Sequence, residues 1–202
     1  MTVTTGRRER KKAATRQKIA DTALRLFLER GYDAVGIRDV AAEADVAVTT
    51  LFAHFPSKEA LVFEQEEQFE LRLTQAVSDR APNDPLIAAL RRAIHVLVGY
   101  CTAKGTAPIW SMIDETPALR EYEESMRQRH ARSLATAIAA DLGLPSPTTA
   151  CRTIATFVAD AYALARETDD PAAAVDEIFR MIEAAWQAAR PSTDPTGTPS
   201  PE

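Results

Sequence analysis

Glycine is scarce in these 202 residues, seven in all, and aromatics are 6% of the chain. With alanine-rich polar runs, this scarcity favours helices over strands. Cysteine is rarer still. Cys101 and Cys151 give neither a disulfide framework nor a metal-ligand spacing. They read as small core hydrophobes, a redox switch being the alternative. The three histidines, His54, His95 and His130, stand far apart and form no metal-type pair. No glycine-rich phosphate loop, nucleophile elbow or Cys-His signature occurs. These absences leave no candidate catalytic residue, no metal and no cofactor. No apolar run reaches the roughly 18 residues that span a bilayer, so no membrane is expected as a partner. The start, MTVTTGRRERKK, lacks the apolar core of a secretory leader. The expectation is a cytoplasmic protein that is not an enzyme.

What is present is ample apolar material and an uneven charge. Hydrophobic residues are 46% of the chain, enough for one or two compact domains. The net charge is −5, yet residues 1–58 carry eleven basic against seven acidic side chains. That head is therefore +4 and the remaining body −9. A basic head on an acidic body implies an anionic partner for the head alone.

Apolar spacing predicts about nine helices and no strand. Residues 1–14 are basic without an apolar period and are expected to form a flexible arm, with Thr15 capping a first helix. Ile19, Ala23, Leu26 and Phe27 then recur at helical spacing up to Gly31, a residue suited to ending a helix. Two short helices follow, 37–44 and 48–54, joined by Asp45-Val46-Ala47. Ser57 is expected to cap a long helix reaching about residue 80. A break at 81–85 leads to a fifth helix, capped by Asp84, with Leu86, Leu90, Ile94 and Leu97 on its apolar face. Further helices are expected around Trp110 and Met112, from Pro117 to Gly143, from Ala150 to about Arg166, and from Pro171 past Trp186. The organisation is all-α: an arm at 1–14, a helix-turn-helix domain at 15–56, a helical body at 57–190 and a disordered Pro/Ser/Thr-rich tail at 191–202.

In VAVTTLFAHFPSKEAL, residues 46–61, Leu51 and Phe55 are four apart and can share a buried face. Val48, Thr49, Thr50 and His54 are left pointing elsewhere. Two short helices joined by a three-residue turn read as a helix-turn-helix, whose second helix lies in the major groove of DNA. Val48 can pack on thymine methyls, and Thr49 and Thr50 can bond to bases or phosphates. His54 and Lys58 stand where the sugar-phosphate backbone should pass. Arg38 and Phe52 complete the head's candidate contacts. Arg7, Arg8, Arg10, Lys11 and Lys12 can reach the minor groove or phosphates from the arm. The plain alternatives are a solvated helix start, a helix-end cap at His54 and a solubilising tail.

The stretch TRQKIADTALRLFLERGYDAVGIRDVAAEADVAVTTLFAHFPSKEAL, about residues 15–62, resembles the DNA-binding domain of the TetR family of transcriptional repressors without a gap. The resemblance implies an all-helical homodimer and a double-stranded DNA operator with two-fold character. It also implies a C-terminal domain that binds a small, largely hydrophobic effector and releases the DNA. The chain departs from the usual pattern at four places: Asp45 for Gly in the turn, Ala47 for the Ser cap, Phe52 for Tyr, and Gly36 ahead of the second helix.

The body offers weaker signals. Trp110, Met112, Tyr122, Met126, Phe157 and Tyr162 can line a ligand cavity or serve as ordinary core. His130 lies among Arg127, Arg129 and Arg132, a group suited to an acidic part of a ligand, or else a solvated helix face. The resemblance also makes the last two helices the dimerisation candidates, and their near-continuous apolar surface supports this, with Phe179, Ile182 and Trp186 as the expected interface. A helical adaptor whose basic head binds a protein is the rival reading. DNA affinity that falls with salt and depends on sequence separates the two.

Overall fold

The computed structural model describes residues 6–189, so the tail expected at 191–202 lies outside the described residues. Among them run nine α-helices: α1 (Arg7–Arg30), α2 (Ile37–Glu43), α3 (Val48–His54), α4 (Glu66–Ser78), α5 (Leu86–Cys101), α6 (Ala107–Glu115), α7 (Pro117–Asp141), α8 (Thr149–Arg166) and α9 (Pro171–Ala189). A single 3-10 turn, Glu59–Leu61, stands between α3 and α4. The described residues contain no strand, and the all-α expectation holds.

Two expectations are corrected. The basic segment from Arg7 onward is the start of α1, not an arm, and Thr15 lies inside the helix. Residues 7–18 contain no glycine or proline and are rich in Arg, Lys and Ala, which lose little on becoming helical. Once Ile19, Ala23, Leu26 and Phe27 anchor the rest of α1, each residue added at its start gains a backbone bond without a new nucleus. The long helix expected from Ser57 to about 80 is broken. Leu61, Val62 and Phe63 are all buried, and three consecutive residues cannot share one helical stripe. The Ser57 hydroxyl accepts the Ala60 N–H at 3.3 Å in one tight turn, and helix resumes at Glu66.

The described chain forms two compact units. In the first, Ile19, Leu26, Phe27, Val40, Leu51, Phe55 and Leu61 are buried together in the basic head. Residues 101–127 belong to the same unit, and α6 packs against α1. In the second, α8 and α9 pack on one another, and Leu90, Ile94, Leu134, Ile138, Ile154, Val158 and Val175 are buried. The Thr148 hydroxyl caps α8 by accepting the Cys151 N–H at 3.3 Å. The Asp170 carboxylate caps α9 through the Ala173 N–H at 3.0 Å. Asp84, expected to cap α5, holds Arg92 instead.

Candidate nucleic-acid interface

The α2–α3 pair owes its geometry to its turn. At the start of α2 the Asp39 carboxylate accepts the Gly36 N–H at 2.8 Å. At its end Asp45 turns left-handed, with φ at +52°. Its N–H bonds the Ala42 carbonyl at 3.1 Å, while the Val46 N–H bonds the Ala41 carbonyl at 2.9 Å. This paired closure spends two carbonyls that the helix would otherwise leave open and reverses the chain in three residues. An aspartate held there carries a steric cost that glycine lacks. Ala47 then starts α3 with no side-chain cap.

The turn decides which side of α3 faces out. Leu51 and Phe55 are completely buried. Thr49, Thr50, Phe52 and Ala53 are exposed, and Val48 is half-buried. Arg38 is exposed on the first turn of α2. Arg7, Arg8, Arg10, Lys11 and Lys12 are exposed along the first turns of α1. Helical geometry gives these five cations set positions where a loose arm was expected.

One of the two expected backbone contacts is placed differently. The Lys58 ammonium turns inward, donating to the Tyr32 carbonyl at 2.6 Å and lying 4.0 Å from the centre of the Tyr32 ring. Burial lowers its pKa. The Tyr32 hydroxyl in turn donates to Glu59 at 3.0 Å. Lys58 is thus an internal pin between the α1–α2 connection and the turn after α3. His54 is half-buried at the end of α3, and its Nδ1 makes no hydrogen bond. Burial, then the nearby charges of Arg16 and Lys12, hold its pKa below the ordinary imidazole value, so the ring is neutral at pH 7.

Arg16 was missed by the sequence reading. Its guanidinium lies 4.3 Å from the centre of the Phe55 ring and donates to the His54 carbonyl and, at 3.3 Å, to the Glu64 carbonyl. It satisfies the open end of α3 and stacks on the residue that anchors it. Nothing in the pattern of the basic head separates Arg16 from its neighbours.

Residues 19–64 match the model of the bacterial regulatory proteins of the tetR family. The chain is 30% identical over 139 residues to an HTH-type transcriptional repressor of Mycobacterium tuberculosis, covering 64% of this chain and 70% of that one. The chain belongs to the TetR family. Over 67 residues it is 45% identical to the HTH-type transcriptional repressor KstR of Mycolicibacterium smegmatis, covering 33% and 32% of the two chains. Among solved structures, Salmonella enterica GusR superposes with a TM-score of 0.56 at 17% identity, covering 86% of this chain and 96% of the other. The TetR-family repressor AlkX of Dietzia also gives 0.56, at 19% identity and covering 85% and 97%. These likenesses confirm the fold, and the family makes this chain a DNA-binding transcriptional regulator.

The residues suggested for the body of this TetR-family protein are divided between its units. In the first, the Trp110 indole N–H donates to the Cys101 carbonyl at 2.6 Å. Tyr122 stacks on Phe63 at 5.3 Å and donates to Glu66 at 2.8 Å, and Met126 is buried. Met112 lines a recess of about 600 Å³ with Phe27, Tyr32, Pro108 and Glu115. In the second unit His130 and Tyr162 are buried, so the solvated-face reading of His130 fails. Phe157 is 46% exposed. Phe179, Ile182 and Trp186, expected at a dimer interface, are also buried within the chain. The large apolar side chains that α8 and α9 leave outside are Phe157, Leu164 at 56% and Met181 at 60% exposure. Cys101 and Cys151 are buried and outside any disulfide. No described helix is long and apolar enough to cross a membrane.

Proposed function

We propose that this TetR-family regulator represses transcription as a two-fold dimer and leaves its operator when a small, largely hydrophobic molecule binds its body. The observation that carries the reading is the α2–α3 pair, with Thr49, Thr50, Phe52 and Ala53 exposed beside the cationic start of α1. A neutral-to-apolar reading surface flanked by cations suits base edges between phosphates. The protein acts as a regulator in the cytoplasm, where its operator lies, and carries out no reaction of its own. The dimer face is the outer side of α8 and α9: Phe157 and Leu164 are seven apart on one stripe of α8, and Met181 is exposed on α9. Because α6 packs against α1, an effector that displaces α6 is felt by the head. The effector needs a differential affinity of a few kcal/mol between the two states.

Fluorescence anisotropy on sequence-selected and scrambled duplexes at several salt concentrations tests the reading. Specific binding should fall steeply with salt, with two protomers per site. Salt-independent binding, or equal binding to both duplexes, refutes it in favour of a protein-binding adaptor. Leu164→Glu should yield monomers in light scattering. An unchanged dimer would refute the α8–α9 face.

A further inference from the structure

We propose that the outward face of α3 recognises thymine through its methyl group, so that each operator half-site is centred on A·T pairs read by apolar contact. The proposal rests on the assignment of α2–α3 as the DNA reader and names what that reader selects. The seven residues of α3, VTTLFAH, contain no Arg, Lys, Asn, Gln, Asp or Glu. Those are the side chains that single out guanine, adenine or cytosine, whereas the hydroxyls of Thr49 and Thr50 can bond to any base and choose little among them. What α3 presents instead is a surface of methyl groups and one ring. Thr49 stands three residues before Phe52 and four before Ala53, so the three occupy one stripe, and all three are exposed. Val48 adds a half-buried isopropyl group at the start of the helix. Phe52 is 49% exposed, a large apolar ring left in water beside hydroxyls.

In the major groove thymine alone among the four bases presents a methyl group. Such a stripe gains from burying that methyl and has little to offer a guanine edge, whose two acceptors it would strip of water while the Thr49 hydroxyl can replace only one bond. Apart from the Thr49 and Thr50 hydroxyls, the polar groups around the stripe are already committed or set apart. Arg16 donates to two carbonyls, Lys58 donates to Tyr32, and His54 is half-buried at the far end of the helix. Arg38 stands on α2, outside the stripe. The exposed cations on the first turns of α1 supply affinity for phosphate without choosing among bases.

The test begins with selection of duplexes from a random library by the full-length protein. The enriched duplex is then remade with uracil at each half-site thymine, which deletes the methyl and keeps the pairing. A·T pairs should dominate the half-site centres. Removing the methyls should weaken binding about fourfold for each methyl buried. Thr49→Ser keeps the hydroxyl and loses the methyl, and Phe52→Ala loses the ring. Each should shrink the thymine-to-uracil affinity ratio, and thermal unfolding checks that the variants remain folded. Equal affinity for the thymine and uracil duplexes, with preference over scrambled DNA intact, overturns the methyl readout and leaves the DNA reader standing. Enrichment of G·C half-sites, or a ratio unmoved by both variants, overturns it in the same way. No enrichment at all overturns the DNA reader along with it.

Discussion

The seven-residue α3 fully buries one of its own side chains, Leu51, with Phe55 sealed just beyond its end. The nineteen-residue α9 buries four, Val175, Phe179, Ile182 and Trp186, along one stripe. The long helix is therefore held mainly by apolar area, at about 1.5–3 kcal/mol for each large side chain removed from water. The short one has too little area for that. It depends on the left-handed Asp45 turn at its start and on Arg16 at its end. Lys58 braces the chain that follows it. A helix that leaves most of its surface free is anchored at its ends.

The largest break in this contrast should come from Phe55→Ala. It removes the sealed ring and the platform under Arg16, costing about 3–5 kcal/mol and abolishing operator binding. Calorimetry with anisotropy would show it. Trp186→Ala should cost a similar amount in stability while the folded fraction keeps the DNA preference of its head. Next in size is Lys58→Met, which deletes the inward pin and should cost about 1 kcal/mol. The salt slope of DNA binding should stay unchanged, and a slope lower by about one would return Lys58 to the phosphate backbone.

Two substitutions should strengthen the ends of α3. Asp45→Gly relieves the left-handed turn, and Ala47→Ser supplies the missing cap. Each should stabilise the head by about 0.5–1 kcal/mol in denaturant titrations. The smallest effect concerns pH. The folded state holds the His54 pKa below its unfolded value near 6.5. On acidification the unfolded chain takes up the proton first, so this residue makes stability fall from pH 7 toward 5. His54→Gln should flatten the profile across that window. Unaltered pH dependence would mean that His54 is not held in its neutral form.

The bounds of α3 and nearly all of α2 were readable from residues 37–54 because local chemistry sets them. Leu51 and Phe55 recur at helical spacing, and Asp45-Val46-Ala47 is a turn whose bonds run between near neighbours. The cap at Asp170 is of the same local kind, while the cap at Thr148 went unread in a helix expected from Ala150. The break at 61–65 was hidden, because burying Leu61, Val62 and Phe63 at once is a requirement of packing and leaves no local mark.

The amino-acid sequence by itself determined the helical class, the helix-turn-helix pair and the basic head, all consequences of composition and of spacing within a few residues. Tertiary structure alone decided where individual side chains went. It turned Lys58 inward on Tyr32, set Arg16 at the end of α3, buried Phe179, Ile182 and Trp186, and left Phe157, Leu164 and Met181 outside. Helices with apolar residues on more than one side, such as α8 and α9, carry more than one stripe able to be covered. Periodicity gives the stripes, and only the packing of distant segments chooses which of them the chain covers itself.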